Sequence, residues 1–77
     1  MTDREQQICE LFAEVLGVTQ VESNDSFFDL GGHSLLVAQL TSRLKATFGV
    51  RVPMRRVYAA PTAETLDKEL TRIQKES

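Results

Sequence analysis

The residues best able to do chemistry stand together at Gly31–Gly32–His33–Ser34, where an imidazole and a hydroxyl follow two glycines. A hydrolytic serine needs a positioned base, but His33 adjoins Ser34 in the chain and is the only histidine. The stretch also lacks the closing glycine of a nucleophile elbow, and 77 residues are too few for the sheet beneath one. We therefore expect no self-catalysis and no catalytic residue.

Two other roles for Ser34 stay open, a helix N-cap and a target for another enzyme. Serine is a preferred cap, although Val37 stands where a capping box needs Glu or Gln, and a cap does not require two preceding glycines. The start of a helix presents unpaired N–H groups and the positive end of its dipole, which favour an esterified phosphate. The glycines would also let a visiting active site approach the hydroxyl.

Cysteine and histidine usage excludes two ways of stabilising so short a chain. Cys9 is the only cysteine, so no internal disulfide forms, and Cys9 and His33 are too few to bind a metal. We interpret Cys9 as a packing residue at the edge of an apolar stripe. The lone thiol and the absence of a signal peptide or long apolar run predict a cytoplasmic protein that does not enter a membrane.

The charges are segregated along the chain although the net charge is only −2. Seven of the eleven acidic residues lie within residues 3–29, whereas residues 43–56 carry five basic residues and no acid. Interleaved aromatics are missing from the basic stretch, so nucleic acid is the least favoured partner. A solvated face or a contact for an acidic protein fits better.

The elements that must position Ser34 are helical. We predict helices over 3–17, over 34–48 with Gly49 closing it, from Pro53 through Tyr58, and from the cap Thr62 through Ile73, with a frayed tail at 74–77. Residues 18–33 form a long loop that is pinned by its own apolar side chains: Val18, Val21, Phe27, Phe28 and Leu30. The fold class is therefore all-α, a small bundle of three main helices and one short helix.

Apolar residues at helical spacing predict which faces are buried. The first helix presents Ile8, Leu11, Phe12, Val15 and Leu16; the second presents Leu36, Val37, Leu40, Leu44 and Phe48; the last presents Ala63, Leu66, Leu70 and Ile73. Leu35 points away from the stripe of its helix, beside Ser34.

The run "FFDLGGHSLLVAQLTSRL" closely resembles the core motif of peptidyl carrier (thiolation) domains of nonribosomal peptide synthetases. "LFAEVLGV" resembles the first helix of that family, and "VPMRRVYAAPTAETL" its third helix and the start of its fourth. The resemblance implies one non-catalytic domain over 1–77, a four-helix bundle of the acyl-carrier type. It further implies that Ser34, flanked by Gly32, His33 and Leu35, carries a 4′-phosphopantetheine arm installed from coenzyme A by a phosphopantetheinyl transferase.

By the same resemblance, the arm holds aminoacyl or peptidyl groups as thioesters and presents them to adenylation, condensation and thioesterase domains. We expect a monomer whose partner surface comprises Leu35, Ala38, Met54, Arg55 and Arg56. The alternative for Leu35 is packing beneath the loop that contains Phe27 and Phe28.

Two alternatives to this function remain, an acyl carrier of a polyketide or hybrid pathway and an unmodified helical interaction module. Fatty-acid-type carriers usually have Asp directly before the serine and an acid-rich second helix. Here His33 precedes Ser34, and the helix carries Arg43 and Lys45 with no acid. Docking through an acidic second helix is therefore not expected.

Overall fold

The computed structural model describes residues 3–76, with side chains through residue 75. It contains the helices α1 (Asp3–Leu16), α2 (Ser34–Phe48), α3 (Met54–Ala59) and α4 (Ala63–Glu76), and no strand among the described residues. The predicted all-α bundle of three main helices and one short one is confirmed. Helix α4 continues three residues past Ile73, and fraying of 74–77 stays a prediction; residues 1, 2 and 77 of the predicted domain lie outside the described range.

The helices bury their predicted stripes in one core, with α1 packed on α2 and α4, and α3 packed on the same two helices. Leu16, Leu36, Phe48 and Ile73 are only half-buried at its margin. Cys9 is a packing residue, as predicted, but its side chain is only 3% exposed and belongs to the core, deeper than a position at the edge of the stripe indicates. The reason is that Thr19, Gln20 and Val21 of the long loop fold over this side of α1, which helical periodicity does not reveal.

The loop between α1 and α2 is tied to the start of α4. The Phe27 N–H donates to the Pro61 carbonyl (2.8 Å), and the Glu64 N–H donates to the Ser23 carbonyl (3.0 Å). Val21 and Phe27 are buried as predicted, but Val18 is 36% exposed and does not pin the loop. These bonds fix the segment that leads into Ser34 relative to the start of α4.

Local hydrogen bonds set the helix ends. Gly49 closes α2 as predicted, and its N–H donates to the Lys45 carbonyl (2.8 Å). Thr62 caps α4, since its Oγ1 accepts the Thr65 N–H (3.1 Å). Pro53 lies just before α3 in extended backbone, so that helix begins one residue later than predicted.

Oppositely charged side chains form ion pairs between helices. Arg4 of α1 pairs with Asp67 of α4 and also donates to the Asp67 carbonyl (2.9 Å). The more exposed Arg43 of α2 approaches Glu14 of α1 at 3.0 Å, a pair worth little in water. Of these two pairs, only Arg43–Glu14 joins the basic stretch 43–56 to the acidic stretch 3–29.

Within residues 3–76, no helix combines the length and the apolar character needed to cross a membrane. The same residues contain no group of three or more acidic, histidine or cysteine side chains placed to hold a metal ion.

Candidate functional site

Ser34 is the first residue of α2, and its side chain is exposed. The N-cap is His33, whose extended backbone (φ −146°, ψ 179°) places its carbonyl to accept the Val37 N–H at 2.9 Å. No side chain caps this helix, so the interpretation of Ser34 as a cap is wrong. Its hydroxyl is not used to hold the helix and stands beside the unpaired N–H groups of the first turn.

The hydroxyl of Ser34 has one hydrogen-bonding neighbour among the described residues, the Tyr58 hydroxyl of α3. The two oxygens are 3.4 Å apart, longer than the usual spacing between hydroxyls, so the contact is weak. No carboxylate or imidazole bonds to Ser34 Oγ in residues 3–75. Sequence reasoning missed Tyr58, because nothing in the chain links it to a residue 24 positions earlier.

A chain of aromatic rings fixes Tyr58 to the core. Its ring stacks on Phe28, with centroids 5.1 Å apart and planes 6° from parallel. Phe28 meets the buried Phe27 edge to face at 5.9 Å, and Phe27 meets Phe12 of α1 at 5.0 Å. Four of the five aromatic side chains therefore connect the centre of the bundle to the hydroxyl beside Ser34.

The local structure requires glycine at both Gly31 and Gly32, for different reasons. Gly31 has φ 104°, a backbone conformation that side chains rarely permit. A Cβ on Gly32 would lie 2.3 Å from Phe27 Cδ2 and 2.7 Å from the Phe27 carbonyl oxygen. That oxygen accepts the Gly32 N–H at 2.9 Å, so the turn closes directly over the buried ring. The loop leaves no side chain at these two positions in front of the serine.

The residues expected to meet partners are on the surface of α2 and α3. Leu35 is 64% exposed, and Ala38, Met54 and Arg55 are exposed as well. The alternative in which Leu35 packs beneath the loop is therefore wrong. Arg56 is half-buried and pairs with Glu69 of α4 at 2.6 Å, so its guanidinium also has a role within the bundle. His33 is exposed at the N-cap of α2.

Residues 6–67 match the family described as "Phosphopantetheine attachment site". The chain is 52% identical over 62 residues to CymA of Salinispora arenicola, a protein named as a probable non-canonical nonribosomal peptide synthetase. The aligned residues cover 80% of this chain and 1% of CymA. It is 44% identical over 73 residues to the dimodular nonribosomal peptide synthase of Bacillus subtilis, or 95% of this chain and 3% of that one. The chain thus spans a very small part of these relatives.

Solved structures share the fold over most of the chain. The structure of the phosphopantetheine transferase Sfp in complex with coenzyme A and a peptidyl carrier protein matches with a TM-score of 0.89 and 26% identity, covering 94% of both chains. The structure of McyG A-PCP with phenylalanyl-adenylate matches with a TM-score of 0.85 and 33% identity, covering 91% of this chain and 11% of that one.

Proposed function

Because the chain belongs to the phosphopantetheine attachment site family and is a carrier domain of the nonribosomal peptide synthetase type, we propose that Ser34 receives its 4′-phosphopantetheine group. The observation that carries the proposal is the exposed Ser34 hydroxyl, which begins α2 within the matched residues 6–67 and has no capping role. The turn through Gly31 and Gly32 supports it, because the positive φ of Gly31 and the close approach of Gly32 to Phe27 fix the loop that presents that hydroxyl.

The start of α2 also favours phosphopantetheine, because its unpaired N–H groups and the positive end of the helix dipole stabilise a phosphate. When attached, phosphopantetheine supplies a thiol on a flexible tether, which carries an acyl group as a thioester and raises its effective concentration at each partner. In the attachment step, Ser34 Oγ bonds to the phosphorus that bears pantetheine in coenzyme A. The bond from that phosphorus to the adenosine bisphosphate breaks, and the serine proton passes to a base of the modifying enzyme.

The chain's own part is to present Ser34, and we propose that it is not itself an enzyme. The contact of Ser34 Oγ with a tyrosine hydroxyl, and not with a base, supports this. We propose a phosphopantetheinyl transferase and adenylation, condensation and thioesterase domains as partners of a monomeric carrier. The complexes named for its structural neighbours support the transferase and the adenylation domain. The buried lone thiol of Cys9 accords with a cytoplasmic location.

Ser34→Ala tests the attachment proposal, with Ser42→Ala, another exposed serine of α2, as the matched control. After incubation with coenzyme A and a broad-specificity transferase, intact mass should show one added phosphopantetheine on the wild type and on the control, and none on Ser34→Ala. A folded wild-type protein of unchanged mass would instead favour the unmodified interaction module.

The partner surface (Leu35, Ala38, Met54, Arg55 and Arg56) is proposed from an apolar centre with a cationic rim, an arrangement typical of transient interfaces. Leu35→Asp should keep the melting temperature, because the side chain is exposed and an acid is favoured in the first turn of a helix. Aminoacyl loading by an adenylation domain, or condensation, should be lost.

Ser42→Asp is the control for Leu35→Asp, since it introduces the same charge on α2 two turns further along. It should load normally. A folded Leu35→Asp protein that loads as well as the wild type would show that the surface is wrongly placed.

A further inference from the structure

The Tyr58 hydroxyl is held beside the site of attachment by a ring that cannot easily turn away. The ring is 49% exposed, yet its other face stacks on Phe28, which in turn contacts the buried Phe27. A surface tyrosine with such support keeps its hydroxyl in one place at little further cost in entropy. Neither the attachment chemistry nor the core explains why a polar group should be fixed there.

We propose that Tyr58 is a positioning residue for the phosphopantetheine arm, and that its hydroxyl donates a hydrogen bond to the phosphate esterified to Ser34. This inference rests on the proposed attachment at Ser34. Its recognition chemistry is that of a phenol donor for a phosphodiester anion.

The distance between the Ser34 and Tyr58 hydroxyls favours a change of hydrogen-bonding partner for Tyr58, from the serine hydroxyl to the phosphate. In the unmodified chain, the two hydroxyl oxygens are 3.4 Å apart, a weak contact that costs little to give up. Esterification removes the Ser34 hydroxyl proton and places the anionic oxygens on the phosphorus bonded to Oγ, within reach of the same phenol. A hydrogen bond to an ionised acceptor is shorter and about twice as strong as a neutral one.

The bond would direct the arm along one face of the bundle. Tyr58 belongs to α3, which packs on α2 next to Ser34, so a phosphate bonded to both helices leaves the arm at the junction of α2 and α3. Leu35 and Met54 are exposed on the same two helices. The thiol would therefore set out over the proposed partner surface.

Tyr58→Phe isolates the hydroxyl, because the remaining ring can keep its stack on Phe28. Both proteins are modified with coenzyme A and a transferase, the site is verified by fragment mass, and phosphorus NMR spectra are recorded folded and in urea. The wild-type resonance should differ between folded and unfolded protein. In Tyr58→Phe this displacement should be largely lost while the melting temperature is retained.

Phe28→Leu is the second variant, since it removes the stacking platform and leaves the Tyr58 hydroxyl in the chain. It should reduce the phosphorus displacement in the wild-type background and change nothing further in Tyr58→Phe. Additive effects of the two substitutions would contradict a shared action through the hydroxyl.

Tyrosine emission gives an independent readout, because Tyr58 is the only tyrosine and the chain has no tryptophan. Emission of the wild type should fall on modification as the phenol bonds to the anion. Unchanged emission, together with identical phosphorus spectra for wild type and Tyr58→Phe, would overturn the inference while leaving attachment at Ser34 intact. A protein that is not modified at Ser34 would overturn both.

Discussion

Replacing Gly32 by alanine should strain the turn that presents Ser34. The added Cβ would lie 2.3 and 2.5 Å from two carbons of the Phe27 ring and 2.7 Å from the Phe27 carbonyl oxygen, closer than real Cβ atoms come. The ring cannot yield freely because it is fully buried and meets Phe12 and Phe28 edge to face. The carbonyl cannot yield without loss of the Gly32 N–H bond.

Overpacking of this kind costs about 1–3 kcal/mol. A domain of this size has a free energy of unfolding of roughly 4–12 kcal/mol at 0.05–0.15 kcal/mol per residue, so the loss is easily measured. Urea unfolding followed by helical circular dichroism provides the assay, and transfer of phosphopantetheine to Ser34 is measured in parallel. Gly32→Ala should lower the urea midpoint and slow transfer, because the turn next to Ser34 must shift.

Gly17→Ala is the matched control, since Gly17 has φ 72° and open space around its missing side chain. Alanine at this position must adopt a left-handed backbone, which costs about 1–2 kcal/mol of stability. The transfer of phosphopantetheine to Ser34 should not be affected. In a Phe27→Leu background the side chain is smaller, so the loss of unfolding free energy caused by Gly32→Ala should be smaller by about 0.5 kcal/mol or more. The loss caused by Gly17→Ala should be the same in both backgrounds. A Gly32→Ala protein that loses under about 0.5 kcal/mol and transfers normally would refute the steric argument.

Two further predictions concern the core. Leu40→Ala, at a fully buried position of α2, should lower the free energy of unfolding by about 2–5 kcal/mol in urea titrations; a loss under half a kcal/mol would mean the wrong face is buried. Burial, aided by the nearby carboxylate of Glu5, raises the pKa of the Cys9 thiol, so the folded state holds this proton more tightly than the unfolded state. Stability should therefore fall as pH rises through the unfolded and then the folded pKa, and native alkylation should be slow. Cys9→Ala should lose less stability over that alkaline range, and equal losses in both proteins would contradict the assignment.

The helices and their buried stripes could be predicted from the sequence because helical spacing is a local property. Leu40 of α2 and Leu66 of α4, for example, each stand at the spacing that the buried face of their own helix requires, and both are fully buried. The depth of Cys9 could not be predicted in this way, because it depends on how the loop residues 19–21 fold back over α1.

The same distinction applies to the candidate site: its local features could be predicted from the sequence, and its contacts between helices could not. Ser34 was identified by its neighbours in the chain, whereas its true relation to the helix depends on backbone angles that make His33 the N-cap. Tyr58 and Phe28 meet across 30 positions of sequence, and the Arg56–Glu69 pair joins two helices. Such contacts depend on how the helices and the loop pack together, so no local sequence motif predicts them.

Localising the modification in the chain shows whether Ser34 is the attachment residue. The wild-type chain is incubated with coenzyme A and a phosphopantetheinyl transferase, and the modified protein is fragmented in a mass spectrometer. We expect a single added phosphopantetheine on the fragment that contains Ser34, with His33 and Leu35 unmodified. A group found on any other residue, or none on a folded protein, would contradict it.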